Sequence, residues 1–249
     1  MGRYEHEVMN AVGLRGTVSV RDLAVLLDVS EQTVRRIVKP MVERGEVTKV
    51  HGAIVGVSAT GEAPFLDRMN VERAAKVAVA AAVARLVHDR DAVVLDTGST
   101  TAFIAQALRG HRGLTVVTNS SFVATTLATV PGNRVHMAGV ELRNHDGASF
   151  DAQAFRVVRS MRVRVAVLST SAIDMRRGCM VHEQCEAEMS AAMGEIADTR
   201  VVAADASKFG RSALVSLAPL RAGDTVVTDR RPDRASVRLL DPARVHVAP

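Results

Sequence analysis

The 249-residue sequence has no tryptophan and one tyrosine, and aromatics make up only 3% of it. Proteins that grip single-stranded nucleic acid stack bases on aromatic faces, so a stacking platform of that kind is excluded. Cysteine is nearly absent. Cys179 and Cys185 cannot make a disulfide framework, which fits a reducing compartment. Long apolar runs are missing as well. The longest, Val77 to Ala84, falls far short of the roughly 20 residues that span a bilayer. The N-terminus, Met1-Gly2-Arg3-Tyr4-Glu5-His6-Glu7, becomes charged at once and holds no apolar signal core. A soluble cytoplasmic protein without a membrane partner is therefore expected. Lysine is scarce too: Lys39, Lys49, Lys76 and Lys208 are the four lysines among 32 basic residues, so each one stands out.

What remains is globular in character. Hydrophobic residues make up 47% and charged residues 24%, which excludes a disordered chain, a collagen and a coiled-coil rod. The length suits either one large domain or a small module joined to a medium one. A net charge of +5 and a pI near 9.8 permit an anionic partner without requiring one.

Residues 1–57 read as one compact unit. A helix is expected from Tyr4 to Leu14, ended by Gly16, and a second from Arg21 to Leu27. After the short turn Asp28-Val29-Ser30, a third helix runs to about Arg44. Ser30 is its N-cap, and Glu31 suits the helix dipole. Glu46–Val50 and Ala53–Val57 read as two short strands joined through His51-Gly52. On the third helix, Val34, Ile37, Val38 and Met41 share one side, while Gln32, Arg35, Arg36 and Lys39 share the other. Three cations and an amide on the exposed side of a helix after a tight turn match a major-groove reader. Pro40 removes a helical hydrogen bond, and a bend is expected there.

Residues 58–72 show little periodicity and read as a linker. From 73 to 230, helical stretches alternate with short apolar segments: Ala92–Leu95, Leu114–Val117, Val163–Leu168, Val201–Ala204, Val226–Val227 and, more weakly, Val135–Ala138. This pattern indicates an α/β domain of Rossmann type with a largely parallel sheet. The five main segments each run into polar residues: Asp96-Thr97, Thr118-Asn119, Ser169-Thr170, Asp205 and Thr228-Asp229. In open α/β sheets, ligands bind at that edge. The sharpest local motif is Asp96-Thr97-Gly98-Ser99-Thr100-Thr101, between a strand and a helix. Gly98 lets backbone approach a ligand, and the hydroxyls and amides of the next three residues form an anion site at a helix N-terminus. The spacing is not that of a Walker A loop. Residues 231–249, rich in Arg and Pro, form a tail without an assigned role.

Both halves resemble the DeoR-type bacterial transcriptional regulators. The resemblance covers about residues 3 to 230. It rests on Val18-Ser19-Val20-Arg21-Asp22-Leu23-Ala24, Val29 to Arg36 and Val50-His51-Gly52-Ala53, then on Val94 to Thr101 and Thr115 to Ser120. Ile173-Asp174, Asp205-Ala206-Ser207-Lys208-Phe209-Gly210 and Val227-Thr228-Asp229 complete it. The resemblance implies an N-terminal winged helix-turn-helix on a sensor domain similar to sugar-phosphate isomerases. The implied protein is a homo-oligomeric repressor, dimer or tetramer, of carbohydrate-metabolism genes. It would bind a double-stranded DNA operator and respond to a phosphorylated sugar, with no cofactor and no metal. DNA contacts are then expected from Ser30, Gln32, Thr33, Arg35, Arg36, Lys39, Lys49 and His51. Asp96, Gly98, Ser99, Thr100 and Thr101 would line the phosphate end of the effector site, and Asn119, Asp174, Glu186 and Lys208 the sugar end. The chain departs from the family pattern at Ile37-Val38, Gly52-Ala53-Ile54, Val140, Asp151 and Ser190.

Three other readings compete, one of them a non-DNA interaction protein, which would need the third helix to be buried or blocked. Asp174, Glu186 and Lys208 could supply acid–base groups for an active isomerase with a DNA-binding appendage. Cys179, His182 and Cys185, with Glu183 and Glu186 nearby, offer metal-ligand types at a non-standard spacing.

Overall fold

A computed structural model describes residues 3–15, 17–44, 46–50, 52–56 and 65–249. These form two units, residues 1–71 with 144–146 and residues 72–143 with 147–249.

The first unit begins with α1 (Arg3–Arg15), β1 (Thr17–Ser19), α2 (Val20–Leu27) and α3 (Glu31–Glu43). It continues with β2 (Val47–Val50), β3 (Ala53–Gly56) and α4 (Phe65–Asn70), the last lying inside the stretch read as a linker. Short polar residues set the boundaries. Ser19 caps α2 by accepting the Asp22 N–H. Asp28 adopts a left-handed conformation that ends it, and Ser30 caps α3 by accepting the Thr33 N–H. The three strands pair antiparallel in the order β1-β3-β2.

The expected bend at Pro40 does not interrupt α3, which is helical on both sides of it. An interior proline costs about 3 kcal/mol. Val34, Val38 and Met41 of the same helix are fully buried in the core with Val12, Leu23 and Ile54. Each such side chain contributes about 1.5–3 kcal/mol, so tertiary packing outweighs the proline.

The second unit holds α5 (Arg73–Ala84), β4 (Ala92–Leu95), α6 (Ser99–Leu108), β5 (Thr115–Thr118), α7 (Ser121–Ala128) and β6 (Arg134–Met137). Then come α8 (Ala152–Arg159), β7 (Val163–Ser169), β8 (Ala172–Asp174), β9 (Gly178–Val181), α9 (Gln184–Glu195) and β10 (Ala197–Ala203). The chain ends with β11 (Val215–Ser216), β12 (Thr225–Thr228), α10 (Arg234–Leu239) and β13 (Arg244–Val247). Seven strands form one parallel sheet in the order β13-β12-β10-β7-β4-β5-β6. The buried runs Val93–Leu95, Val165–Leu168 and Val201–Ala203 are the near-continuous apolar strands that helix cover on both faces requires.

Two features go beyond the sequence reading. Residues 231–249 contribute α10 and the edge strand β13, which pairs with β12 from Thr225–Arg244 to Thr228–Val247. Its Arg244-Val245-His246-Val247 alternates exposed and half-buried residues, a weak signal beside the apolar central strands. A small antiparallel sheet, β11-β9-β8, also branches off after β7.

The strand order sets the site. From β4 the chain moves outward through β5 to β6, then returns to the other side of β4 with β7 and moves away through β10, β12 and β13. The direction reverses between β4 and β7, and a crevice forms at the carboxyl ends of the strands at such a switch point.

Candidate functional site

In the first unit, α3 presents Gln32, Arg35, Arg36 and Lys39 to solvent, with Thr33 half-buried and Ser30 exposed at its start. Ser30 Oγ lies 3.2 Å from the Thr33 amide and 3.0 Å from Thr33 Oγ1, so the first turn is fixed by its own cap. Arg35 makes a 2.9 Å ion pair with Glu31 one turn back. Exposed pairs of this kind are worth only about 0.3–0.5 kcal/mol, too little to hold Arg35 away from a phosphate or a base edge. Lys49, exposed on β2, lines one groove of about 380 Å³ with Arg35 and Lys39, floored by Val38 and Ile54. Three of the candidate cations therefore share a concave surface. Arg44 belongs to the same basic stretch of sequence but faces acids instead, pairing with Glu5 at 2.8 Å and Glu46 at 2.7 Å. His51 lies outside the described residues.

In the second unit, the segment from Asp96 to Thr101 leaves β4 and enters α6. Asp96 is buried, and its carboxylate accepts the Thr97 N–H at 2.7 Å. Gly98 has φ +137° and opens α6 without a side-chain cap. Ser99, Thr100 and Thr101 are all buried in the first turn, and Thr101 Oγ1 bonds back to the Gly98 carbonyl at 2.8 Å. The first amides of a helix have no intrahelical acceptor, so this turn is a ready cradle for an anion. Ser169, at the end of β7, supports the turn by donating its Oγ to the Thr97 carbonyl at 2.8 Å.

Asn119 follows β5 and is fully buried. Its Nδ2 donates to the Ser149 carbonyl at 3.1 Å. Ser149 Oγ in turn donates to Asp151, whose carboxylate also accepts the N–H groups of Val140, Glu141 and Ala154. These backbone donors, Val140 and Glu141 foremost, hold the Asp151 carboxyl far below the usual carboxylate range. Asp174 closes the β8–β9 turn by accepting the N–H groups of Arg176 and Arg177 at 2.8 and 3.0 Å, which lowers its pKa. It neighbours the short 3-10 turn that carries Lys208, because Ile173 bridges to Phe209. Glu186 takes part in the capping box of α9 and also pairs with Arg143 at 3.0 Å. Asp96, Gly98, Ser99, Thr100, Thr101 and Asn119 are thus gathered at adjacent strand ends. Asp174 and Lys208 lie on neighbouring segments, and Glu186 pairs with Arg143.

Unpaired polar atoms mark the strand-end edge more sharply. Thr97 Oγ1, Asn119 Oδ1, Asp205 Oδ2 and Thr228 Oγ1 are buried without a hydrogen-bond partner. They follow or end β4, β5, β10 and β12, all at the carboxyl edge. Buried polar groups are nearly always paired, so this row stands out as a candidate surface for ordered water or polar ligand atoms. The polar strand ends were visible in the sequence, but nothing there singled out Thr97, Asp205 and Thr228. A concavity of about 840 Å³ lined by Phe155, Arg156, Arg159 and Glu188 holds none of these orphaned atoms.

The metal alternative finds no support in the geometry. No three His, Cys, Asp or Glu among the described residues could together hold an ion. Burial pushes the Cys179 and Cys185 thiols up to about 11. No helix among the described residues is long and apolar enough to cross a membrane.

Comparison with known proteins gives two family matches. Residues 6–60 match the DeoR-like helix-turn-helix domain, and residues 71–230 match the DeoR C-terminal sensor domain. The chain is 29% identical over 233 residues to the glycerol-3-phosphate regulon repressor of Escherichia coli, covering 94% of this chain and 92% of that one. It is 30% identical over 241 residues to the HTH-type transcriptional repressor CsqR of Escherichia coli, covering 97% and 92%. It is 26% identical over 215 residues to the HTH-type transcriptional regulator IolR of Bacillus subtilis, covering 86% of each.

Proposed function

The chain belongs to the DeoR family, and from that premise we propose that it is a DNA-binding transcriptional repressor whose sensor unit binds a phosphorylated sugar. The observation that carries the DNA half is the exposed face of α3, where Gln32, Arg35, Arg36 and Lys39 stand beside Lys49 of the wing. Arg pairs with guanine edges or phosphates and Gln with adenine. The effector half is supported by the α6 first turn at the sheet's switch point, which suits a phosphate, and by the unpaired polar atoms beside it, which suit hydroxyls. A relative of similar length is named for the glycerol-3-phosphate regulon, in keeping with that ligand class. The relatives described above are named as repressors and regulators rather than enzymes, which sets the isomerase reading aside. Asp174 and Glu186, its acid–base candidates, are moreover engaged with backbone amides.

One short reading helix covers only a few base pairs, so specific binding calls for a symmetric oligomer on paired half-sites. Regulation follows if the effector binds the DNA-competent and DNA-incompetent states with different affinity. The test is fluorescence anisotropy on DNA from upstream of the protein's own gene, with competitor DNA, at two salt concentrations, with and without a pool of phosphorylated sugars. Competitor-resistant binding that the pool alters is the expected result. Specific binding that ignores the pool would remove the effector half and leave the regulator. Arg35→Ala and Arg36→Ala should each weaken the specific complex by about 1–3 kcal/mol, and no loss in either would count against the groove-reading helix.

A further inference from the structure

Two helices of the second unit lie side by side and carry opposite charge. α8 leads into β7 and α9 into β10, and those strands are paired neighbours in the sheet. Ala154 and Val158 of α8 join Met189, Ala192 and Met193 of α9 in one buried cluster. The opposite sides of the two helices therefore face outward together. On α8 that side is Ala152, Arg156, Arg159 and Ser160, all exposed. On α9 it is Gln184, Glu188 and Glu195, all exposed, with Ala191 half-buried among them. Both sets follow helical spacing. One helix offers a basic stripe and its neighbour an acidic one.

The two stripes do not satisfy each other. A concavity of about 840 Å³ lies between them, with Arg156 and Arg159 on one side, Glu188 on the other and Phe155 in its lining. Among the described residues, no ion pair joins either arginine to an acid. Arg159 stands over the Phe155 ring at 5.6 Å, and Glu188 accepts a hydrogen bond from Gln184 at 3.1 Å. Glu195 ends α9, where the helix dipole disfavours an acid.

This order of charges selects a partner. A polyanion would meet Glu188 and Glu195, and a basic segment would meet Arg156 and Arg159. A second copy of the chain presents the same two stripes. A two-fold axis normal to this face, through the concavity, lays α8 of each copy over α9 of the other. Each basic stripe then meets an acidic one, twice over. The small side chains of Ala152, Ser160 and Ala191 let the helices approach. Phe155 and the arginines are of the residue types that interfaces favour.

We propose that the α8–α9 face is a homodimer interface in which Arg156 and Arg159 of one copy meet Glu188 of the other. The inference deepens the oligomer reading above by naming the surface and the pairs that join it.

The experiment is sedimentation velocity of the full chain over a concentration series at two salt concentrations. Glu188→Arg places arginine on both sides of the concavity. Arg156→Glu with Arg159→Glu places glutamate on both. Each variant alone should associate at least about tenfold more weakly than wild type, because two symmetry-related attractions become repulsions. An equimolar mixture of the two variants should regain association, since each copy then carries the charge that the other lacks. Higher salt should weaken the wild-type complex. The changed side chains are exposed, so melting followed by circular dichroism should stay near wild type. If the double variant unfolds, Arg156→Glu alone, which leaves Arg159 on Phe155, takes its place. Association unchanged in both variants would overturn the interface and leave the oligomer reading standing. Weakened association that the mixture does not restore would overturn the two-fold pairing. A wild type that stays monomeric throughout would overturn both.

Discussion

Gly98 is where the candidate effector site should be least tolerant of change. Its φ of +137° with ψ 160° lies in a region that is essentially glycine-only. Holding an alanine there costs about 1–3 kcal/mol in backbone strain. The added Cβ would also stand 3.0 Å from Ser169 Oγ and 3.5 Å from Thr101 Oγ1. Both hydroxyls are committed, one to the Thr97 carbonyl and one to the Gly98 carbonyl, each at 2.8 Å. Moving either aside loosens a bond worth about 0.5–1.5 kcal/mol. Gly98→Ala should thus destabilise the second unit by about 2–4 kcal/mol, combining the strain and the weakened bond. Gly210 provides the comparison, with φ +74° and nothing within 4 Å of an added Cβ. There the left-handed penalty alone applies, about 1–2 kcal/mol. Urea unfolding of the full chain, followed by circular dichroism, would report the second unit's transition for each variant. Removing the steric contact in Gly98→Ala with Ser169→Ala should recover part of the loss but not the strain. A Gly98→Ala protein within about 0.5 kcal/mol of wild type, the ordinary range for innocuous surface changes, would refute the reasoning. So would one more stable than Gly210→Ala.

Three further outcomes are expected. Ser30→Ala should cost the first unit about 1 kcal/mol by removing the cap on Thr33, while Ser30→Asp should keep the stability yet weaken DNA binding by like-charge repulsion; paired unfolding and anisotropy measurements separate the two effects. Asp151 has its folded-state pKa lowered by the N–H groups of Val140, Glu141 and Ala154, so its stabilising contribution is complete above the unfolded value of about 3.9 and is lost as pH falls through the lower folded value. Melting curves from pH 7 downward should then show wild type more stable than Asp151→Asn at neutral pH, with the gap closing below about pH 4; a constant gap would refute the linkage. Glu186→Gln keeps an acceptor for the His182 and Glu183 amides but loses the ion pair to Arg143, so thermal unfolding should move little while Glu186→Ala lowers the midpoint clearly.

Much of this is legible in residue order. The face of α3 can be read from four apolar and four polar positions at helical spacing, because side-chain direction on a helix follows from residue number alone. The caps at Ser19 and Ser30 sit in the sequence beside the turns they make. The parallel sheet is visible as apolar runs too short for helices, each ending in a polar residue. The edge strand β13 escapes such a reading because an edge strand needs burial on one side only, and its alternation is diluted by Arg244 and His246. Pro40 shows a different limit. Its local penalty is plain in the sequence, whereas the buried side chains that oppose it are not.

The candidate sites divide along the same line. Residue order alone determined the reading helix, the glycine turn before α6 and the row of polar strand ends, since each depends on neighbours within a few positions. Tertiary structure alone decided which carboxylates keep an unpaired oxygen. Asp174, Glu186 and Asp151 look in sequence like any other acid, yet each is bound to backbone amides that folding brings to it. Asp205 is left with one unsatisfied oxygen because the strand beside it and the turn after it bury that atom without supplying a donor. Pairing of a polar group depends on what lies across space from it, and the strand order that fixes this is set by packing between distant segments.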